Sequence, residues 1–194
     1  MLATSAAFSV VLGFALQDTL SNLFAGISLQ LDRSFEIGDW LEVVSGIQKT
    51  TGQVKEMTWR STTLIGFSEE LITLSNRFMA NAQISNFSPP EQPIVRRQIF
   101  RVAYGENIEQ AKQILERTVS GIGEIRGIPA PWAYVSDTTE NWVEVKIIYF
   151  IDNYGSQYGV GDKVYIRGSE NLKAAGIKLA RQVIEIADKN APHG

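Results

Sequence analysis

Residues 1–17 carry no charged side chain, and Asp18 ends that run. At about 1.5 Å per residue the run makes roughly 25 Å of helix. A hydrocarbon core is about 30 Å thick, so the run is a marginal span by itself. Ala3, Ala7, Val10, Phe14 and Gln17 share one face at heptad spacing, while the small residues Ala6, Ser9 and Gly13 lie on an adjacent face. Leu20, Leu23, Phe24, Ile27 and Leu31 form a second stripe, of the kind that lies along a membrane interface. An aspartate at the centre of a membrane helix costs about 3 kcal/mol. Asp18 is therefore expected where water begins, separating two helical pieces and capping the second. Asp32 and Arg33 then return the chain to water. Periodicity fits a membrane helix better than a buried core helix without excluding the latter. A signal peptide is disfavoured, because no basic segment precedes the apolar run.

The bulk composition excludes several functions. The chain has 194 residues, 18 basic and 21 acidic, and a net charge of −3, so no basic excess favours nucleic acid. There is no cysteine, and the one histidine is His193, which removes the commonest metal ligands and general base. The carboxylate pairs Glu69/Glu70 and Asp137/Glu140 sit in turn-like contexts and read as solvated acids. "GSQYGVGDK" at 155–163 is glycine-rich but matches neither GxGxxG nor a Walker sequence. These readings predict no enzyme, no cofactor and no metal site.

From Trp40 to Phe87 the pattern predicts short strands, at Trp40–Val44, Gln53–Arg60, Thr62–Phe67 and Glu70–Ser75, bounded by Gly46, Gly52 and Gly66. Such strands suggest a small all-β barrel. "SNFSPPEQP" at 85–93 reads as a linker, because its prolines cannot continue a central strand. Beyond it a strand at Gln98–Tyr104 is followed by a helix capped by Asn107, with Ile108, Ala111, Leu115 and Val119 in one stripe. Two strands then follow, the second alternating through Val143, Val145, Ile147 and Tyr149. A helix near Val160–Ala175 and a last strand near Gln182–Ile186 complete a β-α-β-β-α-β order, the ferredoxin-like split unit.

"GFALQDTLSNLFAGISLQLDRSFEIGDWLEV", "GQVKEMTWRSTTL", "SNRFMANAQISNFS" and "VAYGENIEQAKQILE" together resemble the small-conductance mechanosensitive channel (MscS) family. The resemblance implies a membrane pore helix, then an Sm-like barrel, then an α+β ferredoxin-like vestibule domain, divided at 1–34, 35–90 and 91–194. It implies a homo-oligomer, a heptamer in the family, in a lipid bilayer and passing ions and small solutes under tension. The inner cell membrane is the implied location, with residues after about 33 cytoplasmic. Carried onto this sequence, the two apolar constriction rings fall at Val10 and Phe14, where apolar side chains exclude water and so stop ions. Ala6, Ser9 and Gly13 become helix-packing positions, and Gln17, Asp18 and Gly26 the break or hinge. Arg33, Gly38, Asp39 and Trp40 mark the membrane–cytoplasm junction.

Three positions depart from the family pattern. Asp18 stands where glycine is frequent, which implies an acidic ring below the gate that favours cations. Ser75 replaces a frequent proline, which implies a looser turn. The end "GIKLARQVIEIADKN" lacks the family's proline-aromatic run. The family's first two transmembrane helices have no counterpart, so Met1 is expected to fall inside the third. Two other readings use the same features: a structural oligomeric cage without channel activity, and an Sm-like RNA-binding module. The acidic balance opposes the latter.

Overall fold

The structure is a computed structural model that describes residues 2–88 and 92–180, with side chains from residue 8 onward. The strand expected near 182–186 lies outside the described residues. The chain divides into two compact units, Met1–Gln92 and Pro93–Gly194.

The first unit opens with α1, one unbroken helix from Leu2 to Asp32, roughly 46 Å long at about 1.5 Å per residue. The two pieces expected around Asp18 are therefore one helix, with regular turns through Gln17, Asp18 and Gly26. The reason is local. An exposed mid-helix aspartate loses only a few tenths of a kcal/mol of propensity, about 0.7 at most. Its carboxylate also finds an ion-pair partner outside the helix. The helix ends instead at Arg33, which takes a left-handed conformation (φ 47°).

Five antiparallel strands follow in the spatial order β4-β3-β2-β1-β5. They are β1 (Trp40–Ser45), β2 (Gln48–Met57), β3 (Ser61–Ile65), β4 (Leu71–Ser75) and β5 (Gln83–Asn86). A six-residue helix, α2 (Asn76–Asn81), joins β4 to β5. Strand β2 begins five residues before the expected Gln53. Its first residues are polar and half exposed, yet they pair with β1 from Ser45↔Gln48 onward. Ser85 and Asn86, expected in the linker, belong to β5 and pair with β1. Leu29 of α1 and Phe35 after it insert among Leu41, Val43, Val54, Leu64 and Met79, so the end of the helix is part of this core.

The second unit places three antiparallel strands in the order β6-β8-β7: β6 (Ile94–Val102), β7 (Trp132–Thr138) and β8 (Val143–Ile151). Helices α3 (Ile108–Ser120) and α4 (Gln157–Ala174) pack on it. Asn107 caps α3 as expected, its side chain accepting from the Gln110 N–H at 3.0 Å. Val145, Ile147 and Tyr149 are buried in the alternation read from the sequence. An isolated antiparallel bridge joins Val102 to Leu179, on the β6 edge of the sheet.

Candidate pore helix and its anchorage

The upper part of α1 is bare. Val10 is 58% and Phe14 73% exposed, one helical turn apart, and Phe8, Val11 and Leu12 are exposed beside them. Gly13 has no atom within 4 Å of where a Cβ would stand, and Ser9 and Gln17 are exposed. Ala6 lies in the same helix, in the turn whose side chains are not described. Among the described residues, Phe8–Asp32 is the one helical segment long and apolar enough to cross a membrane, and almost none of it is buried. Apolar area left in water loses about 25 cal/mol per Å². A stripe of this size calls for another apolar phase or further helices around it.

The lower part of α1 is fastened in three ways. The first is Leu29 in the core. The second is Gly26, where a Cβ would stand 2.7 Å from the Trp59 carbonyl oxygen and 2.5 Å from the Asn76 amide nitrogen. Asn76 is fully buried. Its Nδ2 donates to the Thr58 carbonyl at 2.9 Å, its Oδ1 accepts from Thr62 Oγ1 at 3.1 Å, and its backbone N–H donates to the Arg60 carbonyl at 2.9 Å. The third is polar. Arg77 Nη1 donates to Asp18 Oδ1 at 2.5 Å, the Arg77 N–H donates to Asn22 Oδ1 at 3.0 Å, and Asn22 Nδ2 donates to the Asp18 carbonyl at 2.8 Å. The Asp18 charge is thus matched within its own chain, where the sequence led to an uncompensated acidic ring. Asn22 and Arg77 were missed as anchorage residues because their contact spans more than 50 positions, and Asn76 because its role depends on strands and a helix that only the fold brings around it.

Ser75 does more than replace a proline. Its φ of −67° suits either residue, and its hydroxyl accepts from the Phe78 N–H at 3.3 Å, capping α2.

The junction after α1 is a set of side chain-to-backbone closures. Gly38 has φ 99°, which disfavours any side chain, and its N–H donates to the Val54 carbonyl at 2.8 Å. Asp39 Oδ2 accepts from the Glu36 N–H at 2.9 Å and from Asn86 Nδ2 at 2.7 Å, tying the turn to β5. The Trp40 N–H donates to Ser88 Oγ at 3.0 Å, and its ring stacks on Phe67 with centroids 4.5 Å apart. Gly38-Asp39-Trp40 therefore starts β1 already bonded to both of its neighbours, to β2 through Val54 and to the β5 segment through Asn86 and Ser88. No group of three or more His, Cys, Asp or Glu able to hold a metal occurs among the described residues.

A long apolar helix, bare above and locked at its lower end into a β unit, defines a helix-anchored β-domain protein. Residues 18–89 match the model of the mechanosensitive ion channel β-domain. The chain is 26% identical over 178 residues to the small-conductance mechanosensitive channel MscMJ of Methanocaldococcus jannaschii, covering 88% of this chain and 48% of the relative. Over 77 residues it is 35% identical to the low conductance mechanosensitive channel YnaI of Escherichia coli, covering 40% of this chain and 22% of that protein. The crystal structure of Helicobacter pylori MscS in its closed state superposes with a TM-score of 0.81 at 23% identity, covering 98% of this chain and 73% of that one. The chain belongs to the MscS-like small-conductance mechanosensitive channel family. It spans about half the length, or less, of the first curated relatives it matches.

Proposed function

We propose that this chain is the pore helix and cytoplasmic part of a mechanosensitive channel subunit that releases ions and small solutes under membrane tension. The observation that carries this reading is the bare stripe of α1 continuous with a matched channel β-domain. Val10 and Phe14 form the constriction, and Ala6, Ser9 and Gly13 let neighbouring helices approach closely. Gln17, Asp18 and Gly26 are the positions at which α1 would flex, and Arg33 to Trp40 form the membrane–cytoplasm junction. The subunits assemble as a homo-oligomer, a heptamer, in the inner membrane, with residues after about 33 in the cytoplasm. The organisation is a helix at 1–34, an Sm-like barrel at 35–90 and a ferredoxin-like domain at 91–194. Support for the last comes from the order β6-β8-β7 with the Leu179 bridge beside β6, where a fourth strand of that unit runs. No catalytic step, cofactor or nucleic acid enters this reading.

Gating follows from area. Tension favours the state of larger in-plane area, and a ring of apolar side chains rewets once the helices separate. Patch recording from liposomes holding the full-length protein tests this. A tension-activated conductance is expected, and Phe14→Ser is expected to leak or to open at lower tension. No conductance up to the lytic tension, or a Phe14→Ser protein that gates like the wild type, overturns the pore assignment.

A further inference from the structure

Helix α1 contains two charged residues, Asp18 and Asp32, and α2 contains one, Arg77. Asp18 and Arg77 meet, and the Asn22 side chain joins them by accepting from Arg77 and donating to the Asp18 carbonyl. Val10, Phe14, Asp18 and Asn22 are spaced four apart, so each is rotated about 40° from the last on a regular helix. The line through the apolar pair thus winds by about 120° from Val10 to Asn22, onto the face seated on α2. As long as α1 stays unbroken, as it is here from Leu2 to Asp32, rotation or tilt at Phe14 is transmitted to Asp18 and Asn22, and flexing at Gln17 or Asp18 uncouples them.

We propose that Arg77, with Asp18 and Asn22, is a positioning clamp that sets the rotation of the pore helix and tunes its movement to ionic strength. The proposal rests on the channel reading for its consequence in gating, but not for the clamp itself. The physical basis is exposure. The side chains of Arg77 and Asp18 are 51% and 83% exposed, so salt reaches the ion pair. Raising salt from about 0.1 M to about 1 M shortens the Debye length from about 10 Å to about 3 Å and weakens such a pair. The hydrogen bond from the Arg77 N–H to Asn22 involves no ionised group and is less sensitive. Salt therefore loosens the clamp without removing it.

Two measurements test the clamp. In patches, the midpoint tension of the wild type is expected to shift between about 0.1 M and about 1 M salt on the cytoplasmic side. Asp18→Asn and Arg77→Gln are expected to lose most of that shift. Arg77→Lys, and the exchange of Asp18→Arg with Arg77→Asp, are expected to restore it. An Arg77→Gln channel that keeps the wild-type salt shift overturns the proposal, as does an exchanged pair that behaves like its single reversals.

The second measurement needs no conductance. The sequence has no cysteine, so spin labels at Gln17→Cys and Ala80→Cys report α1 against α2 without background. A narrow distance distribution is expected at low salt, broadening at high salt and in Arg77→Gln. Identical distributions in all three conditions overturn the clamp. Salt-dependent distances in a wild type that never conducts support the clamp and overturn the channel reading instead.

Discussion

Gly26 of α1 lies so close to Trp59 that an added Cβ would stand 2.7 Å from its carbonyl oxygen. That oxygen is backbone and cannot swing aside, and the other near atom belongs to the Asn76 amide, which is held by its bonds to Thr58 and Thr62. Gly26→Ala should therefore push α1 away from the sheet, although alanine is the better helix former. Overpacking of this kind costs about 1–3 kcal/mol, more than the roughly 1 kcal/mol of helix propensity that alanine returns. A lower thermal midpoint of the detergent-solubilised protein is expected, and a raised midpoint would contradict the close contact.

In the second unit, a Cβ on Gly168 of α4 would meet Phe100 Cζ at 2.6 Å and Leu115 Cδ2 at 3.1 Å. Gly168→Ala should destabilise by about 1–3 kcal/mol. Phe100→Leu alone should also destabilise, by opening space. The two together should recover part of the loss, a coupling that denaturant titration of all four proteins would measure. Strict additivity would show that α4 does not rest on the Phe100 ring.

The elements legible in the sequence were those whose information is local. The period-two run of Val143, Val145, Ile147 and Tyr149 and the Asn107-capped stripe of α3 each lie within about a dozen residues, and both form as expected. Helix α2 was not legible. It has six residues and is held by Asn22 and Asp18, more than 50 positions away. Asp18 misled for the same reason. A lone acid after an apolar run looks like a stop, and only the fold supplies the Arg77 that lets the helix continue. The start of β2 was hidden because Lys49, Thr50 and Thr51 lack an apolar alternation, while their backbone groups pair with β1 regardless.

Glu124 provides a pH test away from the helix. The hydrogen bond from Lys163, then one from the backbone, holds its carboxyl below the usual glutamate range, with the Lys163 and Arg167 charges adding to this. A depressed folded pKa means that any stabilisation is present above the unfolded pKa and is lost as pH falls through the folded one. A carboxyl titration by NMR should find Glu124 below an ordinary glutamate, and Lys163→Met should move it upward. An unmoved midpoint would assign the shift to the backbone. Because Glu124 is exposed, the titration is the readout and not the unfolding midpoint.

On the channel reading proposed above, the Asp18–Arg77 pair also decides what charge the lower pore presents. An isolated aspartate ring attracts cations, but a carboxylate 2.5 Å from a guanidinium nitrogen is a neutral pair to an ion several ångströms away. Two unit charges about 4 Å apart interact by about 1 kcal/mol in water and about 4 kcal/mol near a protein surface, so either charge left alone would be felt by a passing ion. The two single variants should therefore act in opposite directions. Asp18→Asn removes the anion and leaves Arg77, moving the reversal potential in a salt gradient toward anion preference. Arg77→Gln leaves Asp18 and moves it toward cation preference. The double variant should return close to the wild type, because it removes both signs. All three shifts should shrink at high salt, where the Debye length falls to about 3 Å at about 1 M. If Asp18→Asn alone shifted selectivity while Arg77→Gln did nothing, the aspartate would be acting unpaired in the open channel. The pair would then break as α1 moves.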